Sequence, residues 1–235
     1  MTHRIEIAWS KVPKGGVGAS GDSIELVERP LGGVTLILAD GQGSGMAARR
    51  ISRMVAMKAV QLISDGSRDG AVARAVQDML YTAREGRVTA TLALLSVDLH
   101  TKSLVVARNA PSPVVVRQGD AVFRLEGGQS SIGTYHRTRP EMTELPVMPE
   151  SILLTYSDGF LQAGRRYGVS LSWPDWEERL KRLPVDELRD YVDDLMEAVL
   201  ALEKGRPADD ISIMALGVKD DDVSRLRRLY ASIPC

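Results

Sequence analysis

Gly33-Val34-Thr35-Leu36-Ile37-Leu38-Ala39-Asp40-Gly41-Gln42-Gly43-Ser44-Gly45 is the stretch from which the rest of the chain can be read. Its first seven residues are a short, nearly continuous apolar run, which predicts a buried strand. The run halts abruptly at an aspartate followed by a glycine-rich turn. A helical pattern then begins near Ser44, with Ile51, Met54, Val55, Ala59 and Leu62 on one face and Arg49, Arg53 and Lys58 elsewhere. Ser64-Asp65-Gly66 ends it. Val72, Ala75, Val76, Met79 and Leu80 mark a second amphipathic helix, roughly Arg68 to Arg84.

Strands lie on both sides of this helix pair. Upstream, Ile5 to Trp9 reads as an edge strand and Ser23 to Val27 as another, with a glycine-rich loop between them. Downstream, Val88 to Asp98, Ser103 to Arg108, Val114 to Arg117 and Ala121 to Leu125 are short β-rich runs punctuated by turn residues, the pattern of a meander of hairpins. Ile152 to Tyr156 repeats the opening theme, since the apolar run again stops at an acid, Ser157-Asp158-Gly159. Glu187 to Leu202 predicts a helix burying Leu188, Tyr191, Val192, Leu195 and Val199, and Asp209-Asp210 leads into a last strand, Ile211 to Val218. Acid at Asp220-Asp221-Asp222 and base at Arg225, Arg227 and Arg228 suit a C-terminal helix over about 220–231. The expected class is α+β: a central two-sheet antiparallel β-sandwich flanked by α-helices, which buries both apolar faces of each sheet. No repeat or linker divides the chain, so 1–235 reads as a single domain.

Composition narrows the chemistry. Thirty basic and thirty-one acidic residues leave a net charge of −1, so no global field draws the chain to nucleic acid or to an anionic membrane. No run approaches the roughly 18 apolar residues of a spanning helix and no signal-peptide pattern opens the chain, which predicts a cytoplasmic location. Cys235 is the single cysteine, which excludes an internal disulfide and cysteine-ligated zinc; it reads as a free thiol on a frayed tail. His3, His100 and His136 are too scattered to supply imidazole chemistry. Carboxylates remain. A lone Asp-Gly after a strand is usually a turn. Three acidic positions at strand ends, Asp40, Asp158 and Asp209-Asp210, are harder to dismiss. If these ends converge, the carboxylates repel unless cations neutralise them, and oxygen-only ligands favour Mg²⁺ or Mn²⁺. Spacing alone does not fix that convergence.

Four motifs in order decide the reading. Asp40-Gly41-Gln42-Gly43-Ser44-Gly45 resembles the DGxGxG motif of the SpoIIE-like branch of the PPM (type 2C) protein phosphatases. Thr155-Tyr156-Ser157-Asp158-Gly159 resembles their second core motif, Asp209-Asp210-Ile211-Ser212 their terminal motif, and Gly21-Asp22 the pair that opens the domain. The resemblance implies a metal-dependent serine/threonine phosphatase with two or more Mn²⁺ or Mg²⁺ ions. Carried over, Asp40 would bridge the metals and Gly41 would offer its carbonyl; Asp158 and Asp209 would complete one metal's shell and Asp22 would serve the other. Asp210 ranks second to Asp209. Two departures concern substrate positioning: Asn109-Ala110-Pro111-Ser112-Pro113 stands where many relatives carry a histidine-containing turn, and no phosphate-binding arginine is assignable.

With about twenty residues before Asp22, the chain resembles the stand-alone RsbX-type enzymes. That implies a phosphorylated protein substrate such as a STAS-domain regulator, in bacterial stress or sigma-factor partner switching. A homodimer is a further expected partner, and the resemblance implies that the helix pair after the Asp40 loop can shift and link partner binding to metal occupancy. The rival readings are a catalytically silent binding module of the same fold and a nucleotide-binding loop. The latter lacks the Gly-Lys-Ser/Thr of a Walker motif, and Met46 stands where a dinucleotide fingerprint needs glycine.

Overall fold

In the computed structural model, residues 2–126, 130–221, 228 and 231–232 are described. The strands are β1 (Thr2–Val12), β2 (Asp22–Glu28), β3 (Gly33–Gly41), β4 (Ala90–Asp98), β5 (Ser103–Asn109), β6 (Val114–Gln118), β7 (Ala121–Leu125), β8 (Glu141–Pro146), β9 (Ser151–Tyr156) and β10 (Ile211–Asp221). The helices are α1 (Gly45–Ser64), α2 (Asp69–Arg84), α3 (Asp158–Gln162), α4 (Trp173–Arg182) and α5 (Leu188–Leu202). Two five-stranded sheets form, in the orders β1-β10-β9-β6-β7 and β2-β3-β4-β5-β8, and every pairing is antiparallel.

Alternation along the strands builds three apolar layers. Leu36 and Leu38 of β3 and Ala93 and Leu95 of β4 point inward, where they meet Val114 and Val116 of β6, Leu153 of β9 and Met214 and Leu216 of β10. Between them lie Ile37, Ala39, Leu92 and Leu94, which face outward onto α1 and α2 through Ile51, Val55, Ala59, Val72, Val76 and Leu80. On the opposite side Ile152, Leu154, Ile213 and Ala215 face α5 through Leu188, Tyr191, Leu195 and Val199. The result is the expected α-β-β-α stacking. A strand apolar on both faces reads as a continuous run because it serves two cores at once.

Several details differ from the sequence reading. The runs from Val88 to Leu125 are not one meander. β4 and β5 form a hairpin in one sheet, β6 and β7 in the other, and the chain crosses between sheets at Asn109–Pro113. Pro111 and Pro113 lack the N–H that a continuing ladder would need. On α2 the buried stripe is Val72, Ala73, Val76, Gln77 and Leu80, with Ala75 and Met79 only half-buried. Buried Gln77 is satisfied because its amide donates to the Tyr135 carbonyl at 2.7 Å and accepts from the Gly133 N–H at 2.7 Å. The structure adds β8 and α4. β8 alternates half-buried and exposed residues at a sheet edge and carries no strong apolar run, whereas α4 has a helical stripe, Trp173, Trp176 and Leu180, of which Leu180 alone is fully buried. Asp220 and Asp221, the expected start of a C-terminal helix, instead pair with His3 and Thr2 at the end of β10. The rest of that expected helix, apart from residues 228 and 231, and Cys235 lie outside the described residues.

At the end of the β2-β3-β4 strands remote from Asp40, a buried ionic network fastens α2 to its sheet. Arg29 donates to Thr35 at 2.9 Å and pairs with Asp69 at 3.1 Å and Asp98 at 3.2 Å, and Ser96 also donates to Asp69. Asp69 is the first residue of α2 and is almost fully buried. Asp69→Ala would leave the Arg29 guanidinium buried with one partner fewer. It is expected to cost about 3–5 kcal/mol, read as a lower urea midpoint; an unchanged midpoint would show the network to be dispensable.

Candidate metal centre

Asp22 opens β2 and Asp40 lies one residue from the end of β3, and the two stand directly opposite each other in the antiparallel ladder. Directly opposed residues point to the same face with Cβ atoms about 5 Å apart, and like charges in that position repel. Asp22 is 1% exposed, and both its carboxylate oxygens are buried without a hydrogen bond of ordinary geometry. Burial pushes the Asp22 carboxyl well above the usual range, opposed by the neighbouring Ser212 and Ser157 hydroxyls. Burial pushes Asp40 higher still, reinforced by the charges of Asp22 and Asp158. Lys11 is the nearby cation, but its ammonium donates to the Asp22 carbonyl, at 3.3 Å, and leaves the carboxylate oxygens without a hydrogen bond.

The other two acids arrive from the second sheet. β9 and β10 are neighbours, so the residues after Tyr156 meet those before Ile211. The Ser157 N–H donates to the Ser212 carbonyl at 2.9 Å, the Ser212 N–H to the Ser157 hydroxyl at 2.9 Å, and that hydroxyl to the Asp210 carbonyl at 3.3 Å. Gly159 lies so close to this segment that a Cβ there would sit 2.1 Å from the Asp210 carbonyl oxygen. Asp158, the first residue of α3, is thereby held beside Asp209. Burial raises the Asp158 carboxyl, and the Asp209 charge raises it further.

Asp209 and Asp210 have different jobs, which adjacency in sequence conceals. Asp210 accepts the Lys14 N–H on one oxygen and the Gly21 N–H on the other, each at 2.9 Å. It is buried and tacks the β1–β2 loop, and with it Asp22, to the start of β10. Asp209 is half-buried and accepts the adjacent Asp210 N–H at 3.0 Å. The glycine-rich turn is fixed from both sides. The Gln42 N–H donates to the Thr89 carbonyl at 3.0 Å and the Gln42 side chain accepts the Thr89 N–H at 3.0 Å, while a Cβ on Gly41 would lie 2.2 Å from the Ala48 carbonyl oxygen. Only glycine lets α1 approach this closely.

Asp22, Asp40, Gly41, Asp158, Asp209 and Asp210 thus line one cleft of 420 Å³. Lys14, which the sequence did not single out, is the one basic residue lining it among the described residues; no local pattern marks it, because only folding brings its loop to Asp210. Among the described residues, no three acidic, histidine or cysteine side chains are drawn together closely enough to hold an ion as they stand. The residues nevertheless fit hard divalent cations. The donors are all oxygen, and the orphaned carboxylate of Asp22 faces the like-charged Asp40.

The fold belongs to the PP2C-type, or PPM, phosphatase class. The PP2C phosphatase domain of SpoIIE from Bacillus subtilis, solved with a fragment of its regulatory domain, superposes with a TM-score of 0.80 at 21% identity, covering 94% of this chain and 65% of that one. The catalytic domain of the serine/threonine phosphatase PstP, solved with two manganese ions, gives 0.72 at 18% identity over 93% of this chain and all of that one (100%). RsbX in complex with magnesium gives 0.68 at 14% over 92% and 96%. The family model of stage II sporulation protein E (SpoIIE) matches residues 30–219, and the chain belongs to that family. It is 22% identical over 233 residues to stage II sporulation protein E of Bacillus subtilis (strain 168), covering 99% of this chain but only 27% of that protein's length.

The raised carboxyls have a consequence for stability without metal. A carboxyl whose folded pKa exceeds its unfolded value binds more protons in the native state, so stability is lost as pH rises through the folded value. Metal-free protein in a chelator should therefore unfold at lower urea at about pH 7.5 than at about pH 5. Saturating Mn²⁺ should flatten or reverse that slope by replacing the protons. A metal-free protein that gains stability over this interval would contradict the assignment of crowded, uncompensated acids.

Proposed function

We propose that the chain is a metal-dependent protein phosphatase that hydrolyses phosphoserine or phosphothreonine. The observation that carries this reading is the meeting of Asp22 and Asp40 from one sheet with Asp158 and Asp209 from the other in a single cleft. Asp40, with the Gly41 carbonyl, would hold both ions; Asp158 and Asp209 would complete one set of ligands and Asp22 the other. Bound there, two Mg²⁺ or Mn²⁺ ions would supply the Lewis acidity that activates water for attack on phosphorus. The chain's own residues keep the acids close despite their repulsion, through the β2–β3 ladder, the Asp210 tack and the Ser157–Ser212 pairing. Lys14 offers the cation that an incoming phosphoryl dianion needs.

The substrate in this reading is a phosphoprotein, with a STAS-domain regulator in bacterial stress or sigma-factor signalling as the partner suggested by the resemblance to RsbX-type enzymes. In this reading residues 1–235 are a single catalytic domain in the cytoplasm, and a second copy of the chain is a further candidate partner. Among the described residues no helix is long and apolar enough to cross a membrane.

Phosphate release from a phosphopeptide and from p-nitrophenyl phosphate, with Mn²⁺ and with EDTA, tests the activity against the silent-module alternative. Asp40→Ala should lower turnover by at least about 100-fold, since several kcal/mol of transition-state stabilisation goes with the ions, and should leave a folded protein. Lys14→Met should lower kcat/KM by about tenfold through KM, with Mn²⁺ affinity unchanged or tighter because a positive charge has left the cleft. Metal-independent turnover, or an Asp40→Ala protein as active as the parent, would sink the reading.

A further inference from the structure

Glu203 follows α5, outside the cleft and outside every motif above, yet its carboxylate is 1% exposed and fully engaged. One oxygen accepts the Gly164 N–H at 2.7 Å. The other accepts the Ala208 N–H at 2.8 Å and the Arg166 guanidinium at 2.9 Å. Arg166 in turn donates to the Glu203 carbonyl at 3.1 Å and to the carbonyl of Arg206. Gly164 lies in the turn immediately beyond α3, whose first residue is Asp158, and Ala208 immediately precedes Asp209. The Pro207 carbonyl also accepts the Gly15 N–H at 2.8 Å, next to Lys14.

We propose that Glu203, with Arg166, is a positioning residue that sets the separation of Asp158 and Asp209 and thereby the affinity of the metal centre. The inference rests on the metal-centre reading above. Two acidic side chains on neighbouring segments repel, so each segment needs an anchor behind it. The β9–β10 ladder anchors one side of the pair through Ser157 and Ser212. Glu203 anchors the other, because a single carboxylate holds a backbone N–H of each segment. A neutral cap could not substitute easily. A glutamine would keep one acceptor but turn its NH₂ toward an N–H donor and give up the charge that Arg166 meets. Partners standing behind ligating groups in this way typically alter metal affinity by roughly 10–100-fold when removed.

The experiment measures Mn²⁺ binding by calorimetry on metal-stripped protein, alongside thermal melting, for the parent, Glu203→Gln, Arg166→Ala and Asp40→Ala. Arg166 is 39% exposed at its side chain, so Arg166→Ala keeps the test open if the Glu203 variant does not fold. Leu195→Ala, a core truncation in α5 outside the Glu203 hydrogen-bond network, controls for lost stability. The expected result is a Mn²⁺ dissociation constant raised about tenfold or more in Glu203→Gln and by a smaller factor in Arg166→Ala, with Leu195→Ala binding as the parent does despite its lower melting temperature. Parental affinity in Arg166→Ala, together with parental affinity or no folding in Glu203→Gln, overturns the proposal. If Asp40→Ala binds Mn²⁺ like the parent, the metal-centre reading itself fails, an outcome separate from the failure of the clasp.

Discussion

Two carboxylates face each other across the β2–β3 ladder, and much of the architecture at this end of the molecule serves to make that tolerable. Asp22 is buried and Asp40 half-buried, directly opposed where like charges repel and solvent screens them little. A sheet would ordinarily exclude such a pair. It persists because the same strands are committed elsewhere: Ile37 and Ala39 beneath α1 and α2, and Leu36 and Leu38 in the sandwich. Slipping β3 by one residue to separate the acids would exchange those two sets of side chains between cores that do not match them. Hydrophobic register holds the charges in place.

The same logic extends to the second sheet. Asp158 and Asp209 meet because β9 and β10 are antiparallel neighbours with apolar side chains on both faces. The two halves of the site are then joined by Asp210, whose oxygens are occupied by backbone N–H groups of the β1–β2 loop. One aspartate of the Asp209-Asp210 pair thus acts as a structural tie while its neighbour, which accepts the Asp210 N–H, lines the cleft. Asp209 lies in the bend before β10 and Asp210 at its entry, so this division follows from the turn of the chain rather than from side-chain chemistry.

Stability is not concentrated at the cleft. The Arg29–Asp69–Asp98 network lies at the far end of β2, β3 and β4, and Arg117 reaches from β6 to carbonyls around Leu180 and Leu183 to hold the outer helices. These buried cations each have several oxygen partners, whereas the Asp22 carboxylate in the cleft has none of ordinary geometry. Such a contrast is what a binding centre needs: a scaffold that is internally satisfied, carrying a group that is satisfied only by a ligand.

The sequence by itself determined the α+β sandwich, most strand boundaries, the helix pair after the glycine-rich turn and the strand-end acids Asp40, Asp158 and Asp209-Asp210, while Asp22 was marked only by the motif resemblance. These features rest on short-range patterns: apolar runs of strand length, helical periodicity, and acids abutting strand ends. Tertiary structure decided what depends on pairing between distant segments. It split the expected meander of β4 to β7 between two sheets, and it revealed the edge strand β8, whose burial is too slight to leave a period, and the short helix α4. It separated Asp210 from Asp209 in role, brought Lys14 to the cleft, and placed Glu203 behind Asp158 and Asp209. Each of those contacts is made across many residues of chain, with hydrogen bonds to backbone groups that any residue type presents, and a backbone N–H leaves no signature in a sequence.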